Sequence, residues 1–219
     1  MQVTTEEIIY PCSDGQPIAD STIQYKLIVK IKEGCESLFK HDPNVFVAAD
    51  LLWYPVQGRT DISQAPDVMV IFGRAKGDRR SYLQWREDNI APQVAFEIRS
   101  HSDSQTKMNK KLSFYNRYGV DEYYLYDPEN NDLSGWQKIE GTLEVIEPME
   151  GWISPRLGVR FELGEAGLEI YRPHGQRFLS YAELEEQGEL DRQRAQQEAQ
   201  RAERLAAKLR ELNIDPDRI

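Results

Sequence analysis

The segment that decides the fold runs from residue 93 to residue 126. It begins with Gln93-Val-Ala-Phe-Glu-Ile-Arg99 and ends with Glu122-Tyr-Tyr-Leu-Tyr126. Both ends are short runs rich in β-branched and aromatic residues, which is typical of buried strands. The residues between them show helical spacing. A strand, a helix and a strand in this order predict a βαβ unit and hence a sheet that contains a parallel pair.

The helix of this unit is predicted over residues 104–118. Met108, Leu112 and Tyr115 recur at positions i, i+4 and i+7, which places them on one face of a helix. Gly119 follows, and glycine is the residue that most often ends a helix in the left-handed conformation.

The rest of the sequence predicts a helix and further strands on both sides of this unit. Ser21 or Thr22 can cap a helix that runs to about Phe39, after an irregular arm. Strands are expected at 45–53 and 67–72, and hairpins at 133–146 and 158–171. We therefore expect an α/β (or α+β) fold, in which a mixed central sheet is flanked by helices and followed by β-hairpins.

The composition changes near residue 181. The chain there becomes rich in Gln, Ala, Arg and Glu, and Gly188 is expected to separate a short helix from a longer one over 191–212. Alanines and a leucine recur at the 4-3-4-3 spacing of a coiled-coil seam, namely Ala195, Ala199, Ala202, Ala206 and Leu209. We expect two domains, 1–180 and 181–219. The seam fits either a homodimer contact or a solvated helix.

Charge and composition exclude several classes of protein. The 219 residues carry 27 Lys and Arg against 37 Asp and Glu, a formal net charge of −10. This charge disfavours non-specific nucleic-acid binding by the whole surface but leaves a local basic groove open. Two cysteines and three scattered histidines have neither the density of a disulfide scaffold nor the spacing of a zinc site.

No apolar run approaches the 18 residues that a membrane span needs, so we expect no membrane association. The amino-terminal residues 1–7 contain an acidic pair where an export signal carries cations. The sequence therefore favours a cytoplasmic location.

Two acidic residues and one lysine stand out within this frame. Asp67 opens a strand, Glu97 lies in the next one, and Lys111 borders the apolar stripe of the following helix. Carboxylates from neighbouring strand ends can hold a hard cation such as Mg²⁺, and a nearby ammonium can stabilise phosphate charge. The structural alternative is that Asp67 is a turn residue and that Glu97 forms a salt bridge with Arg99 or Lys111.

Several motifs together resemble the bacterial family of "putative restriction endonucleases" related to the PD-(D/E)XK nuclease superfamily. The resemblance covers about residues 10–180. It runs through Trp53-Tyr-Pro, Ala65-Pro-Asp-Val-Met-Val-Ile-Phe-Gly73, Arg80-Ser-Tyr, Trp85-Arg-Glu87, Phe96-Glu-Ile-Arg-Ser100, Lys111-Leu-Ser-Phe-Tyr115 and Tyr118-Gly-Val-Asp-Glu-Tyr-Tyr-Leu-Tyr-Asp-Pro128.

The resemblance implies a restriction-endonuclease-like core that hydrolyses DNA phosphodiester bonds with Mg²⁺ or Mn²⁺. Asp67 and Glu97 match the acidic motif residues and are the implied metal ligands. Arg99 stands at the position of the superfamily lysine, and Lys111 matches the helix position that carries the lysine function in this family. The implied roles are positioning of water for Lys111 and charge for the phosphate from Arg99.

The sequence departs from the family pattern at His101, where proline is usual, and at Lys107, where many members are acidic. Further carboxylates are candidates for the metal shell: Asp50, Glu33 and Glu36. The loop over 74–90 is either a basic, aromatic grip for a phosphate backbone or a solvated loop that pairs its own charges.

Two alternatives to a nuclease stay open at this level. The first is a degenerate nuclease fold that acts as a binding or assembly module, dimerised through its carboxyl-terminal helix. The second is a phosphodiesterase for small substrates. We further expect replacement of Lys111 by alanine to abolish activity without a change in stability, because the residue borders the core without filling it.

Overall fold

The computed structural model describes residues 8–212, so the expectation for the amino-terminal residues 1–7 lies outside the described residues. The chain divides into two compact units, one that ends at Phe178 and one that begins at Leu179. That these units are separate domains stays a prediction. The elements are α1 (Thr22–Leu38), β1 (Val45–Ala48), β2 (Trp53–Tyr54), β3 (Val68–Phe72), β4 (Tyr82–Leu83), β5 (Val94–Ile98), α2 (Gln105–Tyr118), β6 (Glu122–Asp127), β7 (Asp132–Ile139), β8 (Thr142–Val145), β9 (Arg160–Gly164), β10 (Gly167–Tyr171) and α3 (Tyr181–Glu211).

The first unit is built on a six-stranded mixed sheet in the order β1-β3-β5-β6-β7-β8. β5 and β6 pair in parallel, as expected for the βαβ unit, and the other neighbours are antiparallel. β9 and β10 form a separate antiparallel hairpin, and β2 pairs in parallel with β4. The predicted mixed sheet with flanking helices and hairpins is confirmed.

Each face of the sheet is covered by one helix. Ile28, Ile31 and Cys35 of α1 pack with the even-numbered residues of β3, β5 and β6, together with the β9–β10 hairpin. Tyr115 of α2 packs with the odd-numbered residues, together with Trp53 of β2. Because side chains alternate along a strand, an odd-numbered residue of β5 faces α2.

Helix α1 begins where the sequence predicts, and its buried face includes a polar residue. Ser21 is the N-cap, and its side-chain oxygen accepts from the backbone of Gln24. Gln24 is buried beside Ile28 and Ile31. Gln24 lies inside because its side chain donates to the carbonyl oxygen of Ile98 at 2.9 Å and so satisfies a buried polar group.

The predicted strand over 45–53 is two strands with a corner between them. Asp50 has φ of 49°, in the left-handed region that aspartate tolerates better than β-branched residues do. Its backbone N–H donates to the carbonyl oxygen of Pro66 at 3.1 Å. The chain therefore leaves the sheet after Ala48, and Trp53 enters the separate β2–β4 pair.

The described part of the second unit, residues 179–212, contains one continuous helix. Ser180 and Glu183 form a capping box at its start, and α3 then runs through Gly188. The predicted break at Gly188 is therefore wrong, because glycine within a helix costs only about 1 kcal/mol. The predicted coiled-coil seam and homodimer stay predictions. Among residues 8–212, we find no helix that has both the length and the hydropathy of a membrane span.

Candidate active site

The two predicted acidic residues lie opposite each other on adjacent strands. The β3–β5 register pairs Val68 with Phe96, so Asp67 and Glu97 are the next pair along the ladder. Residues directly opposite in an antiparallel pair project to the same face of the sheet. In addition, the backbone N–H of Ile98 donates to Oδ2 of Asp67 at 2.6 Å. The structure therefore brings both carboxylates together on the face covered by α2.

Glu97 is held by two side chains from α2. It is 1% exposed. Its Oε2 accepts from Nζ of Lys111 at 2.6 Å, and its Oε1 accepts from the hydroxyl of Tyr115. Residues at i and i+4 lie on the same helix face, so one turn of α2 brings both donors to the strand. The salt bridge that the structural alternative expected between Glu97 and Lys111 is present.

These contacts fix the protonation states of the two donors. Burial would lower the pKa of Lys111, but the negative charges of Glu97 and Asp67 raise it above its ordinary value. Burial, followed by the charge of Glu97, raises the pKa of Tyr115 well above 10.0. At neutral pH, Lys111 is therefore charged, and Tyr115 keeps the proton that it donates.

The surroundings of Asp67 oppose its ionisation. Burial and then the nearby charge of Glu97 raise the pKa of Asp67 well above 3.8, although Lys111 opposes them. Lys111 makes its hydrogen bond to Glu97, and Asp67 accepts one backbone N–H. Within residues 8–212, the second carboxylate oxygen of Asp67 has no donor.

A third carboxylate, Asp103, joins the site from the loop before α2. Its side chain accepts from the backbone of Ser100 at 3.0 Å and forms an ion pair with Lys107 at 2.6 Å. Burial would raise the pKa of Asp103, but Lys107 and the Ser100 backbone lower it. The charge of Asp103 also contributes to the raised pKa of Asp67. Sequence analysis missed this residue, although it directly precedes the N-cap Ser104.

Asp50, a candidate from the sequence, also lies near the pair. Burial raises the pKa of Asp50, and the charges of Asp14 and Glu97 raise it further. Membership of Asp50 in a metal shell stays a prediction.

The other predicted residues have partners outside the acidic pair, and Arg99 donates to the carbonyl oxygen of Asp103 at 3.5 Å. Arg99 forms an ion pair with Asp127 at 3.3 Å, and His101 is exposed beside Glu129. The two candidates on α1 have other partners: Glu33 pairs with Lys32 and Glu36 with Lys76. Because α1 covers the opposite face of the sheet, the expectation that Glu33 or Glu36 reaches the site is wrong.

The side chains present fit a divalent cation. Asp50, Asp67, Glu97 and Asp103 supply four negative charges when ionised. Lys107 and Lys111 supply two positive charges, which leaves a net charge of −2. Mg²⁺ prefers oxygen ligands and keeps several waters, so two carboxylates suffice to bind it. Within residues 8–212, no group of three or more His, Cys, Asp or Glu side chains has metal-site geometry, so the pair would be the core of such a site.

A buried hydroxyl points to the same conclusion. Tyr123 lies on β6 beside β5, and no hydrogen-bond partner for its hydroxyl exists in the described part of the chain. Burial and then the charges of Glu97, Asp67 and Asp103 raise the pKa of Tyr123. Buried polar groups without a partner are rare in folded proteins, so this hydroxyl fits a site that also accommodates water.

The raised pKa of Asp67 predicts a stabilising substitution. We expect Asp67→Asn to raise the free energy of unfolding in EDTA by about 1–2 kcal/mol at neutral pH, because it removes a buried carboxyl group that ionises more readily in the unfolded chain than in the folded protein. The pKa of Asp67 is raised in the folded protein, so the folded state binds more protons than the unfolded state between pH 3.8 and that raised pKa. Wild-type stability therefore falls as pH rises through this window.

Chemical denaturation of both proteins across this pH range measures the effect. The advantage of Asp67→Asn should shrink on acidification. Asp61→Asn is the matched control, since the hydrogen bond from Arg59 lowers the pKa of Asp61 to about 2, and it should not stabilise the protein. A loss of stability in Asp67→Asn at neutral pH would contradict the prediction.

Comparison with known proteins agrees with the resemblance seen in the motifs. Residues 6–164 match the model of a family described as "Putative restriction endonuclease". A crystal structure of a "putative nuclease belonging to DUF820" from Anabaena variabilis ATCC 29413 is similar, with 21% identity, a TM-score of 0.47, and coverage of 65% of this chain and 75% of that one. No curated protein matches the sequence. The family match spans most of the chain, including Asp67, Glu97 and Lys111, and the protein therefore belongs to this restriction endonuclease family.

Proposed function

We propose that the protein is a metal-dependent endonuclease that hydrolyses phosphodiester bonds in DNA, with Asp67 and Glu97 as ligands of Mg²⁺ or Mn²⁺. The observation that carries the proposal is the pairing of these two carboxylates at the ends of β3 and β5, beside the ammonium of Lys111. Membership of the family supports a nuclease in general terms. The metal and the DNA substrate are our inference.

The net charge distinguishes this arrangement from a purely structural salt bridge. A Glu97–Lys111 pair alone would be neutral, and burying such a pair contributes little stability compared with apolar residues. Asp67 adds a second carboxylate, and its burial next to Glu97 is unfavourable when both groups are ionised. A cation bound between the carboxylates would remove this repulsion, so the acidic pair is explained by ligand binding better than by folding.

The protein side chains have distinct chemical tasks in this proposal. Lys111 uses one of its three N–H donors on Glu97, which leaves two for a water or for a phosphate oxygen. The charged ammonium would stabilise the negative charge that develops on the phosphate. A divalent cation, when bound, supplies Lewis-acid polarisation of the phosphate.

Tyr115 acts on Glu97 from the core side. Its hydroxyl donates to Oε1 of Glu97, and its ring is buried among α2 and the sheet. This contact fixes the rotamer of Glu97 and leaves its other oxygen directed toward Lys111. Such positioning is what a preorganised ligand requires.

The chain contains a matched control for Glu97. Glu122 is also 1% exposed and lies on the neighbouring strand β6, but its even position places it on the α1 face. It accepts from the hydroxyls of Tyr124 and Ser154 and from the backbone N–H of Arg156. Its partners are therefore supplied by the fold itself.

A plasmid-nicking assay across divalent metals tests the proposal. We expect the wild type to convert supercoiled plasmid to nicked or linear product with Mg²⁺ or Mn²⁺ and to be inactive in EDTA. Glu97→Gln should lower the rate by at least about 100-fold, a range typical for loss of a transition-state interaction. The rate should be kept, per folded molecule, by Glu122→Gln.

Two outcomes of this assay would contradict the proposal. Cleavage by the Glu97→Gln protein at the wild-type rate would place the chemistry elsewhere. Absence of cleavage with every metal and with both supercoiled and linear DNA would favour a binding module instead.

A further inference from the structure

A second surface of the first unit has the charge of a nucleic-acid contact. Residues 8–12 of the amino-terminal arm and six residues between positions 79 and 87 line an open groove of about 640 Å³, which we call the arginine groove. Its lining carries Arg79, Arg80 and Arg86 against Glu87 alone, a net charge of +2. In a chain with a formal net charge of −10, this local reversal of sign is distinctive.

The three arginines have different roles. Arg79 forms an ion pair with Glu87 at 2.7 Å, and its guanidinium lies 4.0 Å from the ring centroid of Phe46. Arg80 and Arg86 are exposed, and neither has an ion-pair partner among residues 8–212. The positive charge of the groove therefore resides on two arginines that are free to bind a ligand.

These two arginines are attached to a rigid frame. The segment between them contains strand β4, which pairs with β2, followed by a short 3-10 helix over Gln84–Arg86. The Tyr82 hydroxyl donates to the carbonyl oxygen of Ile90 at 2.7 Å, and the Gln84 side chain accepts from the Trp53 indole at 2.9 Å. A fixed backbone lowers the entropic cost of binding by the arginines.

The aromatic residues of the groove do not form a stacking platform. Tyr10 packs against Trp85 with ring centroids 4.9 Å apart and against Tyr54 at 5.2 Å. These rings contact one another, and Tyr10 is the one of the three that lines the groove. Single-strand binding proteins use free aromatic faces to stack on bases, whereas free arginines beside a packed wall suit phosphates.

The frame of the groove contacts the helix that carries Lys111. The hydroxyl of Tyr54 on β2 donates to the carbonyl oxygen of Pro11 at 3.0 Å and holds the arm against this strand. The neighbouring Trp53 packs against Phe114 of α2 with ring centroids 5.2 Å apart. The strand that supports the groove is therefore packed on α2, the helix that lies over the acidic site.

We propose that the arginine groove binds the phosphodiester backbone of duplex DNA through Arg80 and Arg86 and so positions the substrate at the acidic site. This proposal rests on the proposed function, since it takes DNA as the substrate. It also resolves the two interpretations of the loop over 74–90. Arg74 and Arg79 pair with Glu87, while Arg80 and Arg86 remain available for phosphate.

Fluorescence anisotropy with a labelled DNA duplex in EDTA tests the groove without cleavage. We expect the double variant Arg80→Ala/Arg86→Ala to lower affinity at least about 10-fold at low salt. Its plot of log affinity against log salt should be shallower by about 2, because each phosphate contact contributes about 0.9 to the slope. The matched control Lys26→Ala/Lys40→Ala removes two exposed charges, one in α1 and one just after it. Neither lines the groove, and this variant should bind like the wild type.

The outcomes separate the groove from the catalytic proposal. The groove proposal is overturned if the arginine variant and the wild type bind with equal affinity and equal salt slope, whether or not the wild type nicks plasmid. Failure of the wild type to bind the duplex, or tighter binding of a single strand, would overturn it as well. Arginine-dependent binding by a wild type that nicks no plasmid would support the groove and remove only the nuclease proposal.

Discussion

Replacing Lys111 with alanine is expected to abolish plasmid nicking and to lower the free energy of unfolding in EDTA by about 3–5 kcal/mol, the range for breaking a buried ion pair. The side chain of Lys111 is 11% exposed, and that of Glu97 is 1% exposed. Without the ammonium, Glu97 keeps Tyr115 as its side-chain partner and faces the charge of Asp67 nearby. The sequence-based expectation of unchanged stability is therefore revised, because this residue neutralises a buried carboxylate.

Urea denaturation of a set of variants isolates this effect. The double variant Lys111→Met/Glu97→Gln removes both charges and should recover most of the lost stability, since no unpaired charge then remains. Lys110→Ala is the control, because Lys110 is exposed one residue earlier on the same helix. A decrease in the free energy of unfolding of less than about 1 kcal/mol for Lys111→Ala is the value for an exposed ion pair. This result would contradict the prediction, because Lys111 and Glu97 would then not form a buried ion pair in solution.

Local patterns were sufficient to predict the central βαβ unit. The two apolar runs coincide with strands β5 and β6, and the residues at 4-3 spacing lie within helix α2. Gly119 ends α2 with φ of 105°, the left-handed conformation for which glycine is favoured. In this segment the local propensities and the final packing agree, which is why sequence reasoning succeeds.

Tertiary contacts decided the features that the sequence did not reveal. Gln24 lies on the buried face of α1 because its side chain donates to the carbonyl oxygen of Ile98. Ile98 is 74 residues further along the chain. The corner at Asp50 similarly depends on the carbonyl oxygen of Pro66. Neither partner is visible in the local pattern of the helix or the strand, so hydrophobic periodicity alone predicts neither the buried glutamine nor the corner.

The candidate site also contains some residues that local patterns predict and others that depend on tertiary contacts. The sequence alone was enough to predict that Asp67 and Glu97 lie close together, because both occupy strand ends next to apolar runs. Asp103 lies in a loop without periodicity, and its proximity to Asp67 depends on how the loop returns to α2. Tyr115 was assigned to the apolar stripe of α2, and only the structure shows that its hydroxyl donates to Glu97.

Addition of Mg²⁺ or Mn²⁺ is expected to stabilise the wild type against denaturation. A ligand that binds only the folded state at 100 times its dissociation constant contributes about 2.7 kcal/mol. The cation would neutralise the charge of the Asp67–Glu97 pair, and so oppose the burial and the repulsion from Glu97 that raise the pKa of Asp67. Asp67→Asn and Glu97→Gln should each lose this stabilisation, whereas Glu122→Gln should keep it.

The pairing of Asp67 and Glu97 as one cation site is tested most directly by isothermal titration calorimetry of the metal-free protein with Mn²⁺. Our interpretation predicts saturable binding by the wild type and by Glu122→Gln, and none by Asp67→Asn or Glu97→Gln at the same concentrations. Binding that persists unchanged in both of those variants would contradict it, because the cation would then be held by other residues.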